Sequence, residues 1–273
     1  MADIFWVHNI DPVFIKIGSL QIRYYGLFFA AAMLQGAYFW IRQVVRSGRP
    51  VSDALPLIWM AIFGVIIGGR IVHVLFYRFG QFMDDPLILI TLGRGGFASH
   101  GSAAGILVAL YLYGKRYNMP YLETLDRCSL SIPLATTLVR LGNFFNSEIV
   151  GRPTEVPWAV IFSRFDRMSA LPLTPRHPSQ LYEAAIGVVV FLIIYLTDRR
   201  LGETSPCGMI SGLLLISYFT LRFCVEYFKT YHVLDPSFPL TMGQLLCIPF
   251  VLAGSIIFTC ALGRWRRKIN SKC

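Results

Sequence analysis

Residues 54–76 read ALPLIWMAIFGVIIGGRIVHVLF, an apolar run interrupted by one permanent charge, Arg70. A helix needs roughly 20 apolar residues to cross a bilayer, so this stretch alone is long enough to span one. Working outward, about seven such segments appear, near residues 20–41, 54–76, 97–114, 124–145, 180–197, 208–228 and 240–262. With 55% hydrophobic and 15% charged residues, the chain has too little polar surface for a water-soluble fold of this length. Its 21 Phe, 13 Tyr and 5 Trp suit a surface that meets lipid and the headgroup boundary. The expected fold is an all-α polytopic membrane protein with about seven transmembrane helices.

An odd number of spans puts the two termini on opposite sides. Arg42, Arg46 and Arg49, the pair Lys115 and Arg116, the pair Arg199 and Arg200, and the tail GRWRRKINSKC then share one side. The positive-inside rule makes that side cytoplasmic. The amino terminus and the connections 77–96, 147–179 and 229–239 face the periplasm of a bacterium, with the carboxyl terminus in the cytoplasm. The 147–179 stretch holds Pro153, Pro157, Trp158, Pro172, Pro175 and Pro178, and reads as a small periplasmic head inserted in a single transmembrane domain, 1–273. The opening MADIFWVHNIDP lacks a basic segment followed by an apolar one, so no cleavable signal peptide is expected.

The net charge of +10 is dispersed or sits at the ends of apolar runs, which points to anionic lipid headgroups rather than nucleic acid. The six cysteines show no paired short spacing, so neither a disulfide framework nor a metal site is expected.

Polar residues inside spans cost about 2.5–3.5 kcal/mol each on insertion scales, so each calls for a partner or a function. Arg70, His100, Arg140, Asn143, Asn146, Glu148, Arg222 and Glu226 are such residues. Arg222 and Glu226 are four apart and share a helix face, as an ion pair or as part of a site. Arg140 and Asn143 lie just before the helix end expected around Asn146, Ser147 and Glu148, with Gly151 permitting a turn. The functional reading of two arginines is a phosphate clamp, because the planar guanidinium stays charged and matches phosphate oxygens two at a time. Arg70, after Gly68 and Gly69, reads better as structural.

His100 stands among Ser99, Gly101 and Ser102, either a helix-contact residue or a base. The GSAAG order is not that of a nucleophile elbow. His177, in TPRHPSQLYE, is a second candidate proton acceptor at a helix start fixed by Pro178 and Ser179. Tyr24 fits an interfacial aromatic belt, and Tyr25 is either a belt residue or part of a site.

Laid side by side, RYYGL, GGRIVHVLFY, the His100–Gly101 pair, Arg140 with GNFFNSEIVG, PRHPSQLYE, the Arg222–Glu226 helix and TMGQLLCIP resemble the prolipoprotein diacylglyceryl transferases of bacteria along nearly the whole chain. That resemblance implies transfer of the sn-1,2-diacylglyceryl group from phosphatidylglycerol to the lipobox cysteine of a prolipoprotein signal peptide, in the inner membrane and without a cofactor. The nucleophile then belongs to the substrate, in keeping with the lack of HExxH or P-loop motifs. The family's functional positions fall on Tyr25, His100, Gly101, Arg140, Asn143, Glu148, Gly151, Arg222 and Glu226, and Asn146 in the same motif is a further candidate for binding substrate. In this reading His100, or else His177, takes the thiol proton, Arg140 and Arg222 stabilise the departing phosphate, Asn143 and Tyr25 orient the headgroup, and Glu148 and Glu226 hold the arginines. Ser102 and Val139 replace glycines usual in the family. A transporter or an intramembrane hydrolase is the alternative class, but no paired half-repeats are evident.

Overall fold

The computed structural model describes residues 5–91, 98–230 and 239–270, without the side chains of Ser99 and residues 268–270. Residues 92–97 of the 77–96 connection, 231–238 of the 229–239 connection, 1–4 of the amino terminus and 271–273 of the basic tail lie outside the described residues. The chain is mostly helical and forms two compact units, one of residues 1–39 with 128–273 and one of residues 40–127.

Among the described residues four helices are long and apolar enough to cross a membrane: Val51–Tyr77, Ser179–Thr204, Met209–Glu226 and Met242–Arg267. Helices also occupy the other expected places, but with shorter or more polar sequences. Helix α1 (Tyr24–Arg46) carries Gln35, Arg42 and Gln43. The segment expected at 124–145 is two helices, α5 (Tyr121–Ser129) and α6 (Ser131–Asn146), interrupted at Leu130.

Unit 40–127 is organised by glycine. Helix α2 (Val51–Tyr77) is followed by the short α3 (Phe79–Asp84), a 3-10 turn (Pro86–Leu89) and α4 (Ser99–Arg116). Gly64 and Gly68 of α2 meet Gly105 and Gly101 of α4 backbone to backbone, and a Cβ on Gly64 would stand 2.6 Å from the Gly105 carbonyl. Small residues four apart permit such contact where lipid offers no hydrophobic drive to association. Ser102 adds a hydrogen bond to the Val65 carbonyl at 3.1 Å. Arg70 is buried and donates to the carbonyls of Leu89 at 3.2 Å, Thr91 at 2.8 Å and Ile88. Its role is structural: it ties the Pro86–Leu89 turn to α2. The outer face of α2 exposes Trp59, Phe63, Ile67 and Phe76, as a lipid-facing helix does.

The larger unit packs α6 on α8 (Ser179–Leu201), and α8 and α10 (Met242–Asn270) on α9 (Met209–Glu226). Leu130, Ile186, Val190, Ile194, Ile210 and Leu214 form its core. Thr137 donates to the Ala184 carbonyl at 3.1 Å, and Gly187 gives α6 room to approach.

Among the described residues, five short strands depart from the all-α expectation. Strand β1 (Trp6–His8) runs parallel to β4 (Val160–Phe162), which pairs antiparallel with β5 (Pro175–Arg176). Strands β2 (Val13–Ile17) and β3 (Leu20–Arg23) form a hairpin leading into α1. Prolines remove backbone donors from 147–179, so that stretch completes its hydrogen bonding with the amino-terminal strand and with a short helix, α7 (Ser163–Met168). Asp166 of α7, fully buried, accepts from Arg176 at 3.2 Å and from the Thr174 backbone at 3.1 Å. His8 fills the space between Phe144 and Phe162.

Candidate functional site

The carboxyl end of α6 is where the larger unit concentrates its polar groups. Helix α6 stops because Ser147 adopts φ +57°, left-handed backbone that a non-glycine residue enters at a cost. The Ser147 hydroxyl bonds His8 Nδ1 at 3.2 Å, and the Glu148 amide returns to the Asn143 carbonyl at 3.0 Å. These contacts fix the direction of Glu148. Its carboxylate accepts from Asn143 Nδ2 at 3.2 Å and from Asn146 Nδ2 at 3.3 Å. Asn143 Oδ1 in turn accepts from Arg140 at 3.4 Å. Glu148 therefore reaches Arg140 through Asn143, where the sequence suggested a direct hold.

The direct partner of Arg140 is Glu183, in the second turn of α8 and almost wholly buried. Glu183 also pairs with Arg222 of α9 at 3.7 Å and with Lys229. Glu226 closes the cluster, 3.5 Å from Arg222 and 2.7 Å from Lys229. Three cations from three parts of the chain thus share two carboxylates. A buried charge needs this many partners to offset its lost hydration. Arg222 keeps 27% of its side chain exposed, against 2% for Glu183, so the arginine and not the carboxylate is the accessible member of the pair.

Glu183 and Lys229 were missed in the sequence. Glu183 lies in the PRHPSQLYE stretch, whose polar density was put down to a helix start and to His177. A carboxylate in the second turn of an apolar helix was the available signal. Lys229, three residues after Glu226, gave none.

Tyr25, the second residue of α1, lies against Gly142 of α6, where a Cβ would stand 2.9 Å from its ring. Gly151 forms a bridge with Lys229 and donates to the His177 carbonyl at 3.0 Å; a Cβ there would meet the Phe228 carbonyl at 2.6 Å. Gly151 is a backbone crossing point that holds Lys229 in place. In the other unit, Gly101 packs on Gly68, and His100 is exposed in the first turn of α4.

His177 is tied into its surroundings. Its Nδ1 lies 3.1 Å from the Tyr182 hydroxyl, which accepts from Trp158 Nε1 at 2.7 Å, and its ring meets Phe228 edge-on. The Trp158–Tyr182–His177 chain thus fixes the orientation of the imidazole through its Nδ1. Burial, then the nearby Arg152, lowers the His177 pKa below the usual histidine value.

Two arginines from different helices joined through one carboxylate, one of them partly exposed, form an arrangement that can accept an anion inside an apolar chain. A family model described as prolipoprotein diacylglyceryl transferase matches residues 12–260. The chain belongs to the prolipoprotein diacylglyceryl transferase family. It is similar to the phosphatidylglycerol–prolipoprotein diacylglyceryl transferase of Methylococcus capsulatus, 36% identical over 265 residues that cover 93% of this chain and 97% of the relative. The protein of the same name from Vibrio atlanticus is 37% identical over 270 residues, 95% of this chain and 94% of the relative. That of Chloroherpeton thalassium is 38% identical over 256 residues, 93% and 92%. The matched range takes in every residue of the arginine cluster.

Proposed function

We propose that this protein transfers the sn-1,2-diacylglyceryl group from phosphatidylglycerol to the lipobox cysteine of prolipoproteins, the first step of bacterial lipoprotein maturation. The observation that carries the reading is the convergence of Arg140 and Arg222 on Glu183 in a chain of this family. The substrate thiol loses its proton to a base, and the thiolate attacks the glycerol carbon that bears the phosphate. A carbon–sulfur bond forms, the carbon–oxygen bond breaks, and glycerol phosphate leaves with the bonding electrons. Charge grows on the phosphate as it departs, and Arg140 and Arg222 stabilise it. His100 is the base in this scheme. His177, the second candidate, is held through Nδ1 by Tyr182 and Trp158, whereas His100 stands exposed in the first turn of α4.

Asn143 and Tyr25 orient the headgroup, with Asn146, Glu148, Gly151 and Gly101 shaping the ground around it and Glu226 bracing Arg222. The protein is a multi-pass protein of the bacterial cytoplasmic membrane, with seven spans in a single transmembrane domain and membrane lipids around it. Residues 147–179 form a periplasmic head, the amino terminus is periplasmic and the basic tail cytoplasmic. The distribution of Lys and Arg and the four long apolar helices support this placement.

The test is mass spectrometry of a lipobox peptide incubated with purified protein and phosphatidylglycerol vesicles. A diacylglyceryl mass gain that Arg140→Ala and His100→Ala abolish is the expected result. Folded wild type that leaves the peptide unmodified would sink the proposal.

A further inference from the structure

Glu183 touches all three cations of the cluster, which is more than is needed to brace one arginine. In direct contact stand Arg140, Arg222 and Lys229 against Glu183 and Glu226, an excess of one positive charge. Glu148 stands one hydrogen-bonded residue away, behind Asn143. The excess matches the single negative charge of a phosphodiester. A phosphomonoester carries about −1.5 to −2 at neutral pH, and its second charge meets two buried carboxylates with no cation left over.

We infer that Glu183 is a positioning residue that sets the charge of the arginine pocket, so that it holds a monoanionic phosphodiester and releases the phosphomonoester formed from it. Within the transferase reading, on which this rests, the group that enters is a diester headgroup and the group that leaves is glycerol phosphate. The same arginines serve both, and they cannot separate the two by shape, since every phosphate offers them the same oxygen fork. Charge count can. Glu183 acts through Arg140 and Arg222: it fixes their separation and cancels the surplus charge that would otherwise trap the product.

The experiment compares binding of two probes to the full-length protein in nanodiscs by equilibrium dialysis. One is glycerol phosphate, the other glycerophosphoglycerol, a soluble diester with a single charge. Wild type is expected to bind the diester more tightly. Glu183→Gln, which preserves shape and removes the charge, is expected to tighten glycerol phosphate on the order of tenfold relative to the diester. Glu183→Asp, which keeps the charge, should leave the ratio near wild type. Lowering the pH of the wild-type measurement below 6, where a phosphomonoester loses its second charge, should narrow the preference as well.

A purely structural Glu183 would weaken both probes together, and an unchanged or increased diester preference in Glu183→Gln would overturn the inference. If that variant fails to fold, Glu226→Gln carries the same expectation, because it removes the other carboxylate. Peptide lipidation by wild type, run in parallel, separates the two failures. Lipidation with an unchanged probe ratio overturns this inference alone, and no lipidation overturns the transferase reading.

Discussion

Gly243, the second residue of α10, faces Glu226 so closely that a Cβ on it would stand 2.5 Å from the carboxylate Oε2. The start of α10 is itself fixed, since Thr241 and Gln244 cap each other reciprocally at 2.9 and 3.1 Å. Glycine at this position therefore makes room for the carboxylate that holds Arg222 and Lys229. Gly243→Ala should push Glu226 back and lower peptide lipidation on the order of tenfold, equivalent to ~1.4 kcal/mol of transition-state stabilisation. The double variant Gly243→Ala, Glu226→Asp, with a shorter carboxylate, should recover part of the loss. Wild-type turnover by Gly243→Ala would show that the contact is unimportant.

How much of this was readable in advance depended on sequence distance. The apolar runs of α2, α8, α9 and α10 were legible because each satisfies its own backbone locally. Arg222 and Glu226 were legible as a pair because a helix brings residues four apart together. The break at Leu130 was passed over although its signal is local: Ser129 and Ser131 flank it, Asp126 and Arg127 precede it, and Pro133 sits in the first turn of α6, where a missing backbone donor costs nothing. The pairing of Trp6–His8 with Val160–Phe162 joins segments more than 150 residues apart, and no local period announces it. Glu183 hides for the same reason. Its partners come from α6, from α9 and from Lys229 beyond it, and only the assembled unit shows that one carboxylate serves three cations.

Acid should loosen the larger unit through its two buried histidines. Burial lowers the pKa of His8 below its ordinary value, and burial with Arg152 does the same for His177. In the folded protein both stay neutral at a pH where the unfolded chain, with the ordinary value of about 6.5, already binds protons. Stability is thus full above that value and falls as the pH drops through it, levelling off once the folded histidines also protonate. Thermal unfolding in detergent should show the melting temperature declining between about pH 7 and 5. In His8→Phe, which keeps an aromatic ring against Phe144 and Phe162, the decline should be smaller. An identical decline in that variant would remove His8 as a cause.

Tyr182→Phe separates structure from chemistry at His177. The substitution removes the hydroxyl that accepts from Trp158 and bonds His177, at an expected cost of about 1–2 kcal/mol in unfolding. Lipidation should remain within a few-fold of wild type, because proton transfer is assigned to His100. Loss of activity with stability unchanged would return His177 to the role of base.

The glycine contact between α2 and α4 should be intolerant of any side chain. A Cβ on Gly64 meets the Gly105 carbonyl, and backbone cannot swing aside as a flexible side chain would. Gly64→Ala should destabilise the protein by roughly 1–3 kcal/mol, the range for overpacking. Gly36→Ala is the control, because a Cβ there comes no nearer than 4.0 Å to its neighbour Ser131. Equal melting temperatures for the two variants would show that α2 and α4 can part without penalty.

Arg70→Lys tests whether one guanidinium holds the turn between α2 and α4. Arg70 Nη2 serves the carbonyls of Ile88 and Thr91 while Nε serves that of Leu89, a planar two-nitrogen fork that a single ammonium does not reproduce. Lysine keeps the charge, so any loss reflects the fork. Carbonyls left without donors and an ammonium with fewer partners should cost about 1.5–3 kcal/mol locally. Hydrogen exchange should quicken at the amides of Ile88, Ile90 and Thr91, which close the turn on Asp85 and Leu87, while α8 and α9 keep their protection. The amide of Ala98, the residue before α4, is bonded to the Gly69 carbonyl next to Arg70 and should respond with them. His100, the second residue of α4, lies two residues after Ala98, so a turn that slips in Arg70→Lys should also lower lipidation. Exchange and lipidation both at wild-type levels would mean that the charge alone suffices and that the planar geometry of the guanidinium is not what secures the turn.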